Sequence, residues 1–366
     1  MHGLVDDRRG WPARLTYGIA CRNAVGVRSM KLGRRGVLGG LTAVAMADRA
    51  RAATPIRLGL LHTLSPAPLY LAQQRGYFHD AGTDVTFVFF DAAQPIAAAA
   101  VAGDIDIGIT ALTGGFFALA GKGQLKVIGG GLHEQKGFEG TQLLVSKKAY
   151  ESGLTTPAKL PGHSLAITQY GSSFHYMLGR IAQAEGFDVK SVTLRPVQQL
   201  TNMLAAVRTG QVDATMTVAS QAKALEATGE AKIIANVGDI VPYQLTALFT
   251  TSKMIADNAD AVRAFCKAYQ RGVADYRTAF LRTDPQGKPI HDGRTDAAVK
   301  DIEAYVFTGD SQAATKIEDG VGWYDEGAAL DVADVANQIA WFESQGLVKG
   351  PIDPQSIIDT SFLPQR

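Results

Sequence analysis

IRLGLLHTLSPAPLYLAQQRGYF, residues 56–78, decides how the rest of the chain is read. Ile56–Leu61 is a short apolar run of the kind that forms a buried strand. His62–Ser65 is a polar loop. Pro66 and Pro68 then open a helix, because proline suits a first turn whose N–H groups have no partner inside the helix. Ser65 stands at the predicted N-cap, where a hydroxyl accepts from a first-turn N–H. Arg75-Gly76 ends the helix, since glycine takes the left-handed C-cap conformation at little cost. Such a corner aims backbone N–H groups and the positive end of a helix dipole at whatever lies beyond the strand. It is a place to hold a small ligand.

The unit is written twice. In the first copy the strand and helix are followed by strand Val85–Phe90, an alanine-rich helix Ile96–Ala102, and the run GDIDIGIT (103–110). In the second copy strand Ser164–Thr168 leads through Gly171-Ser172-Ser173 to helix Phe174–Glu185 and Gly186. Strand Val192–Val197, helix Leu200–Thr209 and the run GQVDATMT (210–217) follow. Both final runs place aspartate three residues and threonine seven residues after the glycine: Gly103/Asp106/Thr110 and Gly210/Asp213/Thr217. The order β-loop-α-β-α-β implies right-handed crossovers and a mostly parallel sheet in each copy. The predicted fold is α/β and two-lobed, each lobe a sheet flanked by helices, with a ligand cleft between lobes beyond the carboxyl ends of the strands. Thr141–Val145 reads as the first crossing between lobes and Tyr243–Thr251 as the return, giving a hinge. The expected boundaries are 1–53 for a leader, 54–140 plus 245–366 for lobe 1, and 141–244 for lobe 2. After Ala259 the pattern turns helical, at Val262–Tyr276, Thr295–Phe307, Ala313–Asp319 and Asp331–Gln345, with a polar loop at Asp284–Arg294 and a docking tail that carries Ile357, Ile358 and Phe362.

The net charge of +1 hides an uneven distribution. Residues 1–53 carry 10 of the 36 basic and 3 of the 35 acidic residues, so the remainder has 26 basic against 32 acidic. A mildly acidic body without a basic stripe argues against nucleic acid as a partner. The leader reads as an export signal: Arg34-Arg35, an apolar stretch to Met46, then ARAA at 50–53, with Met30 a possible true start. The paired arginines before a weakly hydrophobic core resemble a twin-arginine signal, with Val37 where that motif often has Phe; an ordinary Sec signal is the alternative. Of the two cysteines, Cys21 falls in the leader and Cys266 reads as a core residue.

Ser65, Ser172 and Ser173 are candidate ligand donors at helix N-termini, or simple caps. Thr110 and Thr217 occupy matched strand ends. His62 and His133 are candidate hydrogen-bonding walls; their spacing is not that of a metal site. Asp106 and Asp213 read as turn-stabilising residues in separate lobes, not as a catalytic pair. Phe174 is a candidate cleft aromatic. No P-loop and no GxSxG motif is present.

APLYLAQQRGYF, GDIDIGIT, the TQYGSSF loop and GQVDA, in this order over Ile56–Phe280, resemble the periplasmic solute-binding proteins of the nitrate/sulfonate/taurine type, relatives of the thiamine-pyrimidine-binding proteins. The resemblance implies the type II periplasmic-binding-protein fold. It implies a monomer without cofactor or metal that closes on a small-molecule ligand in the periplasm and delivers it to ABC transporter permease subunits. It places ligand contacts at His62–Pro66 (His62, Thr63, Ser65, Pro66), Thr110–Thr113 (Thr110, Leu112, Thr113), Gly171–Phe174 (Gly171, Ser172, Ser173, Phe174) and Val218–Gln221 (Ser220, Gln221). In the last segment this chain has Ala219-Ser220-Gln221 where many relatives carry an acidic residue and proline, so ligand identity does not transfer. The related thiamine-pyrimidine synthases use a cysteine-rich segment that a single remaining cysteine cannot supply. None of the four segments contains Arg or Lys. Two helix N-termini with hydroxyls suit a singly charged oxyanion such as a sulfonate on an apolar body. The rival is a neutral heterocycle held by Gln169 or Gln221.

Overall fold

Strand β1 (Thr54–Leu61) hands the chain to helix α1 (Ala67–Gln74) in the computed structural model, which describes residues 53–366. The expected leader lies outside the described residues. Helix α2 (Tyr77–Asp80) follows Gly76, whose φ of 72° no side chain adopts cheaply. Then come β2 (Thr83–Phe90), α3 (Ala93–Ala102), β3 (Ile107–Ala111), α4 (Gly114–Ala120), β4 (Leu125–Gly130) and β5 (Leu132–Glu134). The second copy contains β6 (Thr141–Ser146), α5 (Lys147–Glu151), β7 (Ser164–Ile167), α6 (Ser173–Glu185), β8 (Thr193–Pro196), α7 (Leu200–Arg208), β9 (Ala214–Val218), α8 (Ala219–Ala227), β10 (Ala231–Asn236) and α9 (Val237–Ile240). The chain returns through β11 (Tyr243–Gln244) and β12 (Thr246–Thr251) to α10 (Ser252–Phe280), α11 (Gly293–Glu303), α12 (Ala313–Asp319), β13 (Trp323–Tyr324), α13 (Val332–Ser344) and α14 (Pro354–Ile357).

Two five-stranded sheets have the same topology. The first runs β2-β1-β3-β12-β4 and the second β8-β7-β9-β6-β10. In each, the three strands of the repeated unit pair in parallel, and the fourth strand is antiparallel to both neighbours. That fourth strand is supplied by a crossing segment, β12 in the first sheet and β6 in the second. Each sheet is therefore mostly parallel, and the fold is α/β with two sheets flanked by helices. A small antiparallel sheet, β11-β5-β13, lies where the crossings pass. The return crossing is thus two strands in two sheets, broken at Leu245, instead of the single strand expected over Tyr243–Thr251.

Several expected details change. Ser65 does not cap α1: the helix begins one residue later, with Pro66 as N-cap and no side-chain cap. The reason is the prolines. A cap at Ser65 would need the N–H of Ala67 or Pro68, but Ala67 donates to the Leu64 carbonyl and Pro68 has no N–H. The Ser65 hydroxyl pairs with the Thr63 hydroxyl at 3.0 Å instead. Helix α11 stops at Glu303, short of the expected Phe307. Asp106 and Asp213 are structural, but they act across the sheet and not within a turn. Asp106 accepts from the Arg57 N–H at 2.8 Å, and Asp213 from the Ser164 N–H at 2.8 Å. Each ties the last strand of its unit to the first, and the partners are 49 residues apart in both copies.

The core runs from the first sheet into α10, where Phe78 stacks on Phe265 at 4.9 Å. Cys266 is buried on α10, and burial pushes its thiol pKa up. The tail docks as expected: Ile357 is fully buried and Ile358 bridges to Val127 in β4. No helix among the described residues is long and apolar enough to cross a membrane.

Candidate functional site

The carboxyl ends of the parallel strands of both sheets face one cleft. The two antiparallel strands β6 and β12 begin at this same edge, because they run the other way. Strand ends therefore floor the cleft with Leu61, Ala111, Thr141, Thr168, Thr217, Val218 and Thr246. Helix starts wall it with Ala93 and Gln94 of α3, Thr113 before α4, Ser172, Ser173 and Phe174 of α6, and Leu200 of α7. The cleft is narrow, with about 80 Å³ open to a water-sized molecule. None of its bounding side chains is ionisable; they are apolar, hydroxyl or amide groups. The halves meet across it: the Gly114 N–H donates to the Gly171 carbonyl at 2.9 Å, and Lys223 of α8 pairs with Asp319 of α12 at 2.9 Å.

Hydrogen bonds fix the loops. The Thr113 hydroxyl caps α4 by accepting the Phe116 N–H at 3.1 Å. The Ser172 hydroxyl caps α6 by accepting the His175 N–H at 3.4 Å. The Tyr70 hydroxyl donates to the Thr63 carbonyl at 3.0 Å and the Tyr324 hydroxyl to the Ser65 carbonyl, which holds the first loop from both sides. Gly171, at φ 77°, brings its carbonyl to Gly114 in a conformation that favours glycine.

Of the residues singled out in the sequence, Thr63, Ser65, Thr113, Gln169, Ser172, Ser173, Phe174, Thr217 and Gln221 border this cleft. His62 and Ser220 border a second hollow at its mouth, together with Thr63 and Gln221. Pro66 is buried at the start of α1. Thr110 and Leu112 are buried outside the wall; Ala111 between them faces the cleft, and strand alternation turns Thr110 away. The Thr110 hydroxyl has no hydrogen-bond partner among the described residues. His133 lies on β5, away from the cleft, 3.3 Å from the Arg366 guanidinium and 3.9 Å from Asp331. Burial lowers its pKa, helped by Arg366 and opposed by Asp325 and Asp331. Sequence reasoning missed the apolar half of the wall and the starts of α3 and α7. The repeat carried a signal for the latter, since Ala93-Gln94 and Leu200 hold matched places in the two copies.

Behind the cleft each crossing is tied by a buried carboxylate. Glu134 on β5 accepts from the Thr141 N–H at 3.1 Å and from the Thr141 hydroxyl, and burial raises its pKa despite both. Asp334 on α13 accepts from the Gln244 N–H at 2.9 Å and the Gln338 amide at 2.8 Å. Among the described residues no group of three or more His, Cys, Asp or Glu is placed to hold a metal ion.

Paired sheets of matched topology around one cleft define a periplasmic-binding-protein fold. The family model described as NMT1/THI5 like matches residues 64–279, more than half of the chain, and the chain belongs to that family. Solved structures agree on the fold. The alkanesulfonate-binding protein SsuA from Xanthomonas axonopodis pv. citri, bound to MOPS, is similar over 84% of this chain and 99% of its own, at 19% identity and a TM-score of 0.65. The ligand-binding component of an ABC-type import system from Staphylococcus aureus, with zinc bound, covers 84% and 97% at 14% identity and a TM-score of 0.66. The desulfurization enzyme DSZB covers 84% and 97% at 14% identity and a TM-score of 0.56. No curated protein matches the sequence.

Proposed function

We propose that this chain is the extracytoplasmic solute-binding component of an ABC importer, taking an organic oxyanion of the sulfonate class with an apolar body. The observation that carries the reading is the cleft wall, which is apolar and hydroxyl-rich and free of ionisable side chains. A wall whose hydroxyls have no ionisable group beside them to act as general base favours binding over catalysis, even though an enzyme shares the fold. A buried ion without a countercharge is costly, so the ligand's body is apolar and its charge single and small. The same charge-free wall, with the amides of Gln94, Gln169 and Gln221, favours a neutral heterocycle as the second reading.

Residues 54–140 with 245–366, and residues 141–244, act as the two closing lobes, and the closed protein presents itself to permease subunits in the periplasm. The ligand reading is tested by melting the protein with octane-1-sulfonate and, separately, with a neutral aminopyrimidine. A ligand at a hundred times its Kd stabilises by about 2.7 kcal/mol, which raises Tm by several degrees. A shift with the sulfonate, with a fall in radius of gyration by scattering, is the expected result; a shift with the pyrimidine alone selects the second reading, and no shift with either rejects both. Export through the Arg34-Arg35 leader predicts a mature N-terminus near Ala53 or Thr54, read by N-terminal sequencing. An exported protein that still begins at Met1 contradicts the processing.

A further inference from the structure

We infer that Lys223 is a latch between the two lobes: paired with Asp319 it favours the closed arrangement before any ligand binds, and Glu139 limits its strength. This rests on the two-lobe reading above and adds to it a closing bias set by the protein itself. None of the three side chains lines the cleft or the hollow at its mouth, so the latch reaches the ligand only through the lobes. The three are positioning residues.

The ion pairs single Lys223 out. Arg57 with Asp106, Arg75 with Asp275 and Asp301, and Arg366 with Asp325 join residues of 54–140 and 245–366 to one another. Arg208 with Glu230 and Lys147 with Glu151 stay within 141–244. Among the described residues only Lys223 of α8 pairs across that divide: its Nζ lies 2.9 Å from Asp319 and 2.5 Å from Glu139. The two carboxylates stand differently toward the cleft. Asp319 ends α12, and Gly320 after it is a point where the halves touch: a Cβ there would stand 2.5 Å from the Leu64 side chain and 3.5 Å from the Ser220 hydroxyl oxygen. Glu139 lies two residues before β6 and is tied to α8. The Gly140 carbonyl accepts the Ala219 N–H at 3.1 Å, and Thr141 at the start of β6 pairs with Val218. Opening the cleft therefore separates Lys223 from Asp319 and leaves it with Glu139.

That difference fixes the signs. Closure gains the attraction between Lys223 and Asp319. It also brings Asp319 toward Glu139, because both carboxylates reach the same nitrogen, and like charges repel. The net bias is therefore smaller than one ion pair alone would give. The Lys223 and Asp319 side chains are 34% and 38% exposed, so water and salt screen the pair and hold it to the range of surface ion pairs. Ligand affinity scales with the population of the binding-competent state, so a change in this bias appears in binding although no ligand contact is altered. Asp319→Asn loses the attraction. Glu139→Gln loses only the repulsion felt on closing. Lys223→Gln leaves the two carboxylates facing each other with no cation between them.

The test measures the ligand-free full chain by small-angle scattering and the release of octane-1-sulfonate by stopped flow. Relative to wild type, the radius of gyration is expected to rise in Asp319→Asn, to rise further in Lys223→Gln, and to stay equal or fall in Glu139→Gln. Release should be about two- to fivefold faster from Asp319→Asn, faster again from Lys223→Gln, and slower from Glu139→Gln. Charge acting on the anion at a distance has the other sign for Asp319→Asn, since removing a carboxylate would slow release; faster release is therefore the mark of opening. High salt should move wild type toward Asp319→Asn and leave that variant nearly unchanged. Ion pairs that merely stabilise the fold predict the same sign for Asp319→Asn and Glu139→Gln. That result, or variants that match wild type in scattering and in release alike, overturns the inference. Should the sulfonate fail to bind, the ligand reading falls, and the scattering of the ligand-free variants alone decides the latch.

Discussion

Gly272→Val is expected to destabilise the protein by roughly 3 kcal/mol, the upper end of the usual cost of overpacking a core site. Gly272 lies inside α10, where glycine ordinarily costs about 1 kcal/mol relative to alanine. By propensity alone, any side chain here would help. Packing decides the other way. A Cβ at 272 would stand 2.2 Å from the Pro68 carbonyl oxygen and 3.0 Å from the Ala72 Cβ, both on α1. The first obstacle is backbone and cannot rotate aside. Helix α1 cannot retreat easily either, because Leu69, Tyr70 and Leu71 are fully buried and Arg75 is paired with Asp275 and Asp301 at 2.7 and 2.8 Å. The strain is relieved by separating α1 from α10, which also moves the Thr63–Ser65 loop at the cleft. Urea denaturation gives the stability change, and ligand affinity should fall with it. Gly272→Ala is the sharper control: it should also destabilise, and a neutral or stabilising result would show that the close approach of the two helices is not real.

The repeat, and with it the sheet topology, was legible because its signals are local. A turn glycine, an aspartate three residues on and a threonine seven residues on appear in both copies within eight residues. What Asp106 and Asp213 do was not legible, since each partner lies 49 residues away on a strand whose adjacency the sequence does not state. Ser65 failed as a cap for a reason that was visible. Two prolines in the first turn remove the donors a cap needs, and local chemistry should have overruled the residue's general preference. The polar half of the cleft was read from its loops. The apolar half was hidden, because it is assembled from single residues at many strand ends, such as Leu61, Ala111 and Leu245, each indistinguishable in sequence from core. His133 misled for the same reason: its strand, β5, belongs to a three-stranded sheet whose partners β11 and β13 lie far along the chain.

Asp334→Asn is expected to stabilise the protein at pH 8 by about 2–3 kcal/mol and to change it little at pH 4. Asp334 is 7% exposed, and burial raises its pKa from 3.8 to about 6. The amide hydrogen bonds from Gln338 and Gln244 and the charge of Arg180 pull it down, and Asp331 pushes it up, but burial dominates. The native state therefore holds this proton more tightly than the unfolded chain does. Between the unfolded value near 4 and the native value near 6, stability falls as pH rises, and the loss remains above that window. Asparagine abolishes the loss, because it is never charged. It can also keep the contacts that matter: both donors reach the same oxygen, Oδ2, and an amide oxygen accepts them as a carboxylate oxygen does. Asp334→Leu escapes the charge as well, but it leaves the buried Gln244 N–H without a partner, at a cost of about 1–3 kcal/mol, so it destabilises at pH 4 and at pH 8 lies below the Asn variant by that amount. Chemical denaturation at pH 4 and pH 8 separates these outcomes. An Asn variant whose gain is the same at both pH values would mean that Asp334 titrates as an ordinary carboxylate. Because Gln244 sits where the chain returns to the first sheet, the carboxylate is best understood as a fastening for the crossing: it costs stability at neutral pH and holds β11 in register with β5.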